Sequence, residues 1–511
     1  MLASLRSAAV VGVEALPVIV EVDVSYGLPI FTMVGLPDAS VRESRDRVRS
    51  AIRNSGFHFP AHRVTVNLAP ADVRKAGASY DLPIALGILA ASGVLVGREV
   101  GEVVLLGELS LDGSIQPIRG ALPVAAATWR EGKTAILLPR ANAAEARIVA
   151  GLTVLPVDSL LEAVDALNQP IAEAAKALAV TAPKPLTNLS SAPAEPVPDF
   201  AEVAGQSMAK RALEVAAAGA HNVLLIGAPG GGKTMMARRL PGILPPLEFD
   251  EALECTAIHS VAGSLPVGTA LIAERPFRAP HHTISEPAMV GGGKIPKPGE
   301  ICLAHNGVLF LDEFAEFERC VLESLRQPLE EGRITVTRLA RTASFPARFM
   351  LVAAMNPCPC GFRGDQRRHC RCTEPQLQRY RGKISGPLLD RIDLVVEVPA
   401  VGAYAPLKSH EEPSQAIRER VAGARRRQCA RFGGGHGLLN SQLMGSVLRE
   451  HCALDRPGSK LLQSAITKFC LSARGTDRVL RVSRTIADLA GATNIVGEHL
   501  AEALQYRFIF A

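Results

Sequence analysis

The chain has 511 residues, of which 48% are hydrophobic and 21% are charged, and its formal net charge is +6. This length exceeds what a single hydrophobic core supports, so we expect about two to four domains. The composition is that of an ordinary soluble protein, and the mild excess of positive charge allows a nucleic-acid partner without requiring one.

The N-terminal segment and the cysteine content bear on the cellular compartment. The apolar first segment is interrupted by Glu14, Pro17 and Glu21, which a signal peptide would lack. No apolar run has the length of a membrane span. Ten cysteines in a chain of this size argue against a disulfide framework. We therefore expect a cytoplasmic protein without a membrane partner.

The sequence of residues 1–170 predicts a mixed α/β domain. Apolar, β-branched runs at Val18–Val24 and Arg63–Asn67 indicate strands. Between them, Asp38–Ser55 carries apolar residues at helical spacing and begins with an aspartate suited to cap a helix. An apolar helix at Tyr80–Ser92 and a strand at Val103–Leu106 follow, and helices and strands then alternate.

Part of this domain resembles the proteolytic domain of Lon-type proteases. The stretches that carry the resemblance are KAGASYDLP at 75–83, GELSLDG at 107–113 and PIRG at 117–120. In that family a serine pairs with a downstream lysine. Ser79 occupies the serine position, but the lysine position falls near Val124, and the next lysine is Lys133. A serine without its base is a poor nucleophile, so the resemblance implies a Lon-protease-like fold without peptidase activity.

Composition then divides the rest of the chain. Residues 171–198 are rich in alanine and proline, which favours a flexible or extended connector. Residues 199–400 carry the nucleotide motifs described next, and residues 401–511 are predicted to be mainly helical.

A phosphate-binding loop is the most specific motif of the chain. An apolar strand at Val223–Ile226 precedes it, and a helix follows from Met235. The loop matches the pattern G-x-x-x-x-G-K-[ST] with Gly227, Ala228, Pro229, Gly230, Gly231, Gly232, Lys233 and Thr234. Glycine backbone N–H groups and the helix N-terminus favour bound phosphate. Lys233 would contact the β- and γ-phosphates of ATP, and Thr234 would ligate Mg²⁺.

Two further strands are predicted to deliver polar groups to the same site. The apolar run Val308–Leu311 is followed by Asp312, which would hold Mg²⁺ through water, and by Glu313, which would act as general base. The strand at Arg348–Ala354 leads to Asn356, which could orient water or sense the γ-phosphate. Open α/β sheets bind ligands at the carboxyl ends of such strands.

Together these residues resemble AAA+ ATPases of the group that includes Mg-chelatase subunits and MCM helicases. The specific motifs are GAPGGGKT, RPFRAPHH, GVLFLDE, AAMNPCPCG and SGPLLDRIDL. Over most of its length the chain resembles the ComM/YifB family of Mg-chelatase-like proteins. The resemblance implies that Asn356 is sensor 1 and that Arg391 is an arginine finger acting on the neighbouring subunit of a ring, usually a hexamer. It also implies a C-terminal helical lid, with Arg474 as sensor 2 and Arg481 as the second choice.

Two segments are candidates for DNA contacts. Residues 277–300, which include Lys294, resemble the helix-2 insert of this group. Its paired His281 and His282 lack a third metal ligand nearby, which favours a role in the loop over a metal site. Residues 332–348 alternate like a hairpin, with Arg338 and Arg341 near the tip. By resemblance this is the pre-sensor 1 hairpin, whose arginines would contact DNA phosphates; the alternative is a solvated tip.

Four clustered cysteines are a candidate zinc site: Cys358, Cys360, Cys370 and Cys372. Four thiolates in two close pairs suit tetrahedral zinc, although the C-x-C spacing is tighter than the usual C-x-x-C. Four unliganded thiols are the alternative.

The resemblance implies an ATP- and Mg²⁺-dependent DNA motor. In the ComM role it would act as a helicase or in branch migration, on single-stranded or branched DNA, during natural transformation. The alternatives are a Mg-chelatase-type motor, which the fused Lon-like domain argues against, and an ATPase that remodels proteins, which DNA would not stimulate.

Overall fold

The computed structural model describes residues 1–71, 73, 75, 77–178, 198–266, 269–292, 297–338, 341–364, 368–399, 411–432 and 438–507. Of the segment 332–348, the backbone of the predicted hairpin is described on both sides of residues 339–340, but the side chains of Arg338 and Arg341 are not. Lys294 and most of the predicted connector lie outside the described residues.

The N-terminal part contains nine strands and six α-helices within its described residues. The strands are β1 (Leu2–Val11), β2 (Glu14–Ser25), β3 (Phe31–Val34), β4 (Arg63–Ala69), β5 (Val103–Leu105), β6 (Glu108–Leu109), β7 (Ile115–Gln116), β8 (Ala135–Pro139) and β9 (Thr153–Val157). The helices are α1 (Ala39–Asn54), α2 (Asp81–Ala91), α3 (Ala121–Arg130), α4 (Ala143–Ala146), α5 (Leu160–Leu167) and α6 (Ile171–Ala177).

Seven of these strands form one mixed sheet in the order β3-β4-β2-β1-β5-β8-β9. The apolar helix α2 packs against β1 and β2, which explains why it is buried on all sides. Helix α1 begins as predicted, because the Asp38 carboxylate accepts a hydrogen bond from the backbone N–H of Val41 at 2.9 Å. Ser79 lies in the turn before α2, and Val124 is buried in α3.

Helix α6 lies inside the segment 171–198 that the composition favours as a connector. Its Ala174 is buried, and Ile171 and Leu178 pack against the core of the N-terminal part. Residues 171–178, which lie in the predicted connector, therefore pack with the N-terminal part.

The second part follows from residue 198. Its strands are β10 (Val223–Ile226), β11 (Phe277–Arg278), β12 (Gly291–Gly292), β13 (Lys297–Pro298), β14 (Val308–Leu311), β15 (Arg333–Arg338), β16 (Arg341–Pro346), β17 (Met350–Met355) and β18 (Leu394–Glu397). Its helices before residue 400 are α7 (Ser207–Gly219), α8 (Lys233–Ile243), α9 (Phe249–Ala262), α10 (Glu286–Val290), α11 (Glu300–Leu303), α12 (Arg319–Ser324), α13 (Arg326–Glu331), α14 (Glu374–Arg381) and α15 (Gly386–Leu389). The later helices are α16 (Ser414–Arg431), α17 (Gly445–His451), α18 (Arg456–Phe469), α19 (Ala473–Leu489) and α20 (Gly497–Gln505).

A parallel five-stranded sheet is the centre of this part, in the order β11-β14-β17-β10-β18. Strands β10, β14 and β17 are apolar and buried along their whole length, as strands covered on both faces are. Strand β10 lies between β17 and β18, where the chain passes from one side of the sheet to the other. Ligands of open α/β sheets bind beside such a strand, at its carboxyl end.

The C-terminal helices pack onto this sheet. Val421 of α16, Ile486 of α19 and Leu504 of α20 belong to the same buried cluster as Val223 of β10 and Val352 of β17. Within the described residues 411–432 and 438–507, α16 to α20 are the α-helices, and several of them share a core with the sheet.

The two parts also touch each other. Helix α3 packs against α9, and the Ser260 hydroxyl accepts a hydrogen bond from the Gly120 N–H at 3.1 Å and donates one to the buried Glu145 at 2.7 Å. Gly12, in the β1–β2 turn, packs so closely on Ser344 of β16 that a Cβ there would lie 3.0 Å from the Ser344 carbonyl oxygen. The N-terminal part thus contacts both α9 and the β15–β16 hairpin.

Candidate nucleotide site

The loop 227–234, called the phosphate loop below, joins β10 to α8 as the sequence predicts. The Gly227 N–H donates to the Met355 carbonyl at 3.2 Å, which ties the loop to the end of β17. Gly232 has a φ of 84° and precedes the first residue of α8. Only glycine adopts this backbone angle at low cost, so the loop requires glycine there.

Lys233 is buried beneath the loop, with only 8% of its surface exposed. Its Nζ donates to the carbonyl oxygens of Gly227 at 2.7 Å and Ala228 at 3.0 Å, and to Asn356 Oδ1 at 3.3 Å. Burial lowers the pKa of Lys233, and the nearby Asp312 opposes this effect. The Lys233–Asn356 contact brings together two residues predicted for the site from motifs 123 positions apart.

The two predicted Mg²⁺ ligands also meet. The Thr234 hydroxyl donates to Asp312 Oδ2 at 2.6 Å. The other oxygen of Asp312 accepts the backbone N–H of Glu313 at 2.9 Å. Hydroxyl and carboxylate oxygens are the hard ligands that Mg²⁺ prefers. A buried lysine beside the backbone N–H groups of a glycine-rich loop suits phosphate. These residues therefore fit Mg²⁺ and ATP.

Glu313 contacts a histidine that the sequence interpretation assigned only to a loop. His282 Nδ1 lies 3.0 Å from Glu313 Oε2. The His282 ring packs on His281 at a centroid distance of 4.1 Å and meets Phe317 edge-on at 6.4 Å. Glu313 itself has a left-handed φ of 52°, which is uncommon for a residue other than glycine. The adjacent histidines in the sequence were the available signal for this contact.

Gln206 is a second residue that the sequence interpretation missed. Its side-chain amide donates to the carbonyl oxygens of Gly231 at 3.2 Å and Pro399 at 2.7 Å. It thereby joins the phosphate loop to the chain that follows β18. The available signal was its position directly before helix α7.

The predicted arginine finger lies at the opposite edge of the sheet. The Asn222 side chain, at the amino end of β10, donates to the Arg391 carbonyl at 2.9 Å. The four residues of β10 separate this edge from the phosphate loop by about 13 Å. The Arg391 guanidinium pairs with Glu330, and its buried Nε has no hydrogen-bond partner among the described residues.

Arg474 is exposed near the same glutamate. Arg391, and more weakly Arg474, hold the pKa of Glu330 below its usual range. The second candidate, Arg481, donates instead to the Leu443 carbonyl at 2.7 Å. Arg474 and Arg391 therefore both influence Glu330, whereas Arg481 is bonded within the C-terminal helices.

The four cysteines converge. Their sulfur atoms all lie within 4.8 Å of one another. The Sγ of Cys358 is 3.3 Å from that of Cys360 and 3.7 Å from that of Cys370, and the latter two are 3.6 Å apart. The geometry is compatible with a bound metal ion.

Of the predicted DNA-contacting segments, the hairpin is present. Strands β15 and β16 pair from Arg333 opposite Pro346 to Arg338 opposite Arg341, which puts the two arginine positions at its end. Within the described part of the chain, no helix combines the length and apolar character needed to cross a bilayer.

Three family models, all of magnesium-chelatase proteins, match successive parts of the chain. A sequence model of the family described as magnesium chelatase, subunit ChlI, matches residues 199–405. Models described as subunit ChlI of Mg-chelatase and as the ChlI C-terminal part match residues 20–142 and 411–507.

Individual relatives extend this result. YifB of Salmonella typhimurium is 45% identical over 517 residues, which cover 99% of this chain and 97% of the relative. Competence protein ComM of Haemophilus influenzae is 45% identical with the same coverage. The 38 kDa magnesium-chelatase subunit of Rhodobacter capsulatus is 27% identical over 61% of this chain and 87% of that protein. The parallel α/β sheet agrees with an AAA+ ATPase-like fold, and the chain belongs to the ComM/YifB family of Mg-chelatase-like proteins.

Proposed function

We propose that this protein is an ATP-hydrolysing DNA motor of the helicase or branch-migration type, which assembles as a ring and acts on incoming DNA during natural transformation. The observation that carries the ATPase part is the contact of Lys233 with Asn356 and of Thr234 with Asp312 at one edge of a parallel sheet. The competence name of ComM, a relative that covers the whole chain, supports the DNA part.

Each residue of the site has a distinct role in this proposal. Lys233 would bind the β- and γ-phosphates, and Thr234 and Asp312 would hold Mg²⁺, the former directly and the latter through water. Mg²⁺, when bound, would neutralise charge on the phosphates. Glu313 would accept a proton from the attacking water, and Asn356 would orient that water.

The position of Arg391 supports a ring. The Arg391 backbone lies at the amino edge of the sheet, one strand length of about 13 Å from the edge that carries the phosphate loop, and this favours action on a neighbouring copy. Arg474, beside the same Glu330, would act on the same neighbour. A closed ring, usually a hexamer, gives every subunit such a neighbour.

The β15–β16 hairpin is the proposed DNA contact, through Arg338 and Arg341, with Lys294 of the insert as a further contact. Arginine and lysine bind phosphates without reading sequence, as a motor that moves along DNA requires. The N-terminal part would be a Lon-protease-like domain without peptidase activity, and the motor would act in the cytoplasm.

A Mg-chelatase-type motor is the second candidate function. The observation that favours it is the match to the 38 kDa magnesium-chelatase subunit, which extends over 61% of this chain. Such a motor would act on a tetrapyrrole-binding partner, and DNA would leave its turnover unchanged.

ATP turnover with and without single-stranded and branched DNA tests the proposal. We expect DNA to stimulate turnover, and Lys233→Ala and Glu313→Gln each to lower it about a hundredfold or more, since each removes a group that acts on the transition state. Lys133→Ala, whose partner Glu102 lies in the N-terminal part, is the control expected to behave as wild type. Robust turnover that no DNA affects would contradict the motor and favour the second candidate.

A further inference from the structure

We propose that a zinc ion is bound by four thiolates and stabilises the phosphate loop. The four thiolates are those of Cys358, Cys360, Cys370 and Cys372, called the four-cysteine cluster. The inference rests on the proposed function only in that the loop binds ATP. The metal site itself stands on the geometry of the sulfur atoms.

The sulfur separations suit tetrahedral zinc. Zinc bound to four thiolates at about 2.3 Å keeps its sulfurs about 3.8 Å apart. The three separations within the cluster that involve Cys358, Cys360 and Cys370 are 3.3, 3.6 and 3.7 Å. A disulfide would need about 2.05 Å, so the thiols are free to bind a metal. Thiolate sulfurs are soft ligands, which select zinc over Mg²⁺.

Ordered backbone on both sides presents the two cysteine pairs. The first pair, Cys358 and Cys360, lies in a turn that is closed by a hydrogen bond from the Gly361 N–H to the Cys358 carbonyl at 2.9 Å. Gly361 has a φ of 82°. The second pair directly precedes α14, where Thr373 and Gln376 form a reciprocal cap. The Arg368 guanidinium lies 5.1 Å from the Phe362 ring, which links the two sides once more. The short C-x-C spacing within each pair therefore does not prevent the four sulfur atoms from meeting, because the two pairs come from separate segments of the chain.

The cluster adjoins the nucleotide site directly. Cys358 follows Asn356, the partner of Lys233, by two residues. Gly361 packs on the phosphate loop so closely that a Cβ there would lie 2.8 Å from Pro229 Cδ. Tyr380 of α14 lies near the backbone of Asn356, which opposes the rise that burial causes in the pKa of the Tyr380 hydroxyl. A metal that fixes Cys358 and the start of α14 would therefore hold Gly361 against the phosphate loop and Tyr380 near Asn356.

Zinc content of the full-length protein, measured by mass spectrometry, tests the metal site. We expect about one zinc per chain and its loss in the double variant Cys370→Ser/Cys372→Ser. Cys320→Ser and Cys470→Ser remove exposed cysteines outside the cluster and should keep the metal. Wild-type protein without zinc after expression in zinc-supplemented medium, or a double variant that retains it, would overturn the site. If the double variant does not fold, chelation of the wild type and re-addition of zinc replace it.

Nucleotide affinity tests the stabilisation of the phosphate loop. Removal of zinc should weaken binding of a fluorescent ATP analogue about tenfold, the effect of losing one good hydrogen bond to a charged group, while circular dichroism stays unchanged. Full affinity without zinc would overturn this stabilisation and leave the metal site. Zinc-loaded protein that binds no ATP would contradict the proposed function instead, so the two failures are distinguishable.

Discussion

At the scale of single residues, the proposed chemistry depends on contacts between side chains that follow different strands. Lys233 reaches Asn356, and Thr234 reaches Asp312, because the parallel strands β10, β14 and β17 end at the same edge. The sequence predicted these residues since each belongs to a motif with a fixed position relative to its strand. It could not predict the His282–Glu313 contact, because a histidine in a long insert has no such fixed position.

Substitution of His282 tests whether it positions Glu313. Loss of the contact in His282→Ala should lower kcat about tenfold with KM unchanged, since the base is less well oriented while the phosphate contacts remain. His282→Asn, which keeps a polar atom near the position of Nδ1, should recover part of the rate. His281→Ala is the control for the loop: His281 bonds to Thr283 and packs on the His282 ring, so this variant keeps the His282–Glu313 pair and should lose less activity. Equal losses for the two alanine variants would show that only the loop is disturbed.

At the scale of elements, strands and the phosphate loop were easier to predict than the C-terminal helices. Helix α18 begins at Arg456, because the Asp455 carboxylate accepts the Gly458 N–H at 2.7 Å. Helix α19 begins at Ala473, because the Ser472 hydroxyl accepts the Gly475 N–H at 3.1 Å. In these arginine-rich segments several polar residues could cap the helix N-terminus, and the sequence does not show which one does.

The buried carboxylate of Asp488 holds the end of α19 to its neighbours. It pairs with Arg431, and with Arg484 at 2.9 Å, and it accepts a hydrogen bond from Asn440 at 2.8 Å. Arg484 is only 2% exposed, so its charge depends on this partner.

Asp488→Ala should destabilise the protein by about 3–5 kcal/mol, because it leaves a buried arginine without its counter-charge. Thermal unfolding should show a lower Tm for this variant, and Asp477→Ala, at a half-buried position of the same helix, should unfold close to wild type. An unchanged Tm for Asp488→Ala would contradict the role assigned to this carboxylate.

At the scale of the whole molecule, the contact between the N-terminal part and the ATPase part could not be predicted from the sequence. Gly120 and Glu145 lie more than a hundred residues from Ser260, and no motif links them. Burial raises the pKa of Glu145, although hydrogen bonds from Ser260 and Asn142 oppose the shift. The ionised carboxylate is therefore disfavoured at this interface.

The sign of the resulting pH dependence follows from linkage. A carboxyl whose pKa is raised on folding binds protons more tightly in the folded state, so its contribution to stability falls as pH rises from its ordinary value of 4.5 through the raised value. Glu145→Gln should have the higher Tm at pH 7.5, and the difference from wild type should shrink towards pH 5. Glu131→Gln, at an exposed position, should show no such trend. A difference that is constant with pH would contradict a buried, ionised Glu145.

The proposed ring predicts complementation between two inactive variants. Arg391→Ala lacks the finger but keeps its base, and Glu313→Gln lacks the base but keeps its finger. When the two are mixed, some sites combine an intact base with a neighbour's finger, so ATP turnover should reappear. Mixing either variant with Lys233→Ala/Arg391→Ala, which lacks the finger and the lysine that binds phosphate, controls for dilution. Turnover that stays absent in every mixture would contradict a finger acting between subunits.

Whether ATP hydrolysis moves DNA is tested most directly with a labelled four-way junction whose arms can migrate. We expect the wild-type protein with ATP and Mg²⁺ to convert the junction to separated duplexes, and Glu313→Gln, or wild type without ATP, to leave it intact. Turnover stimulated by DNA but without any conversion of junctions or forked duplexes, or conversion that needs no ATP, would contradict the DNA motor.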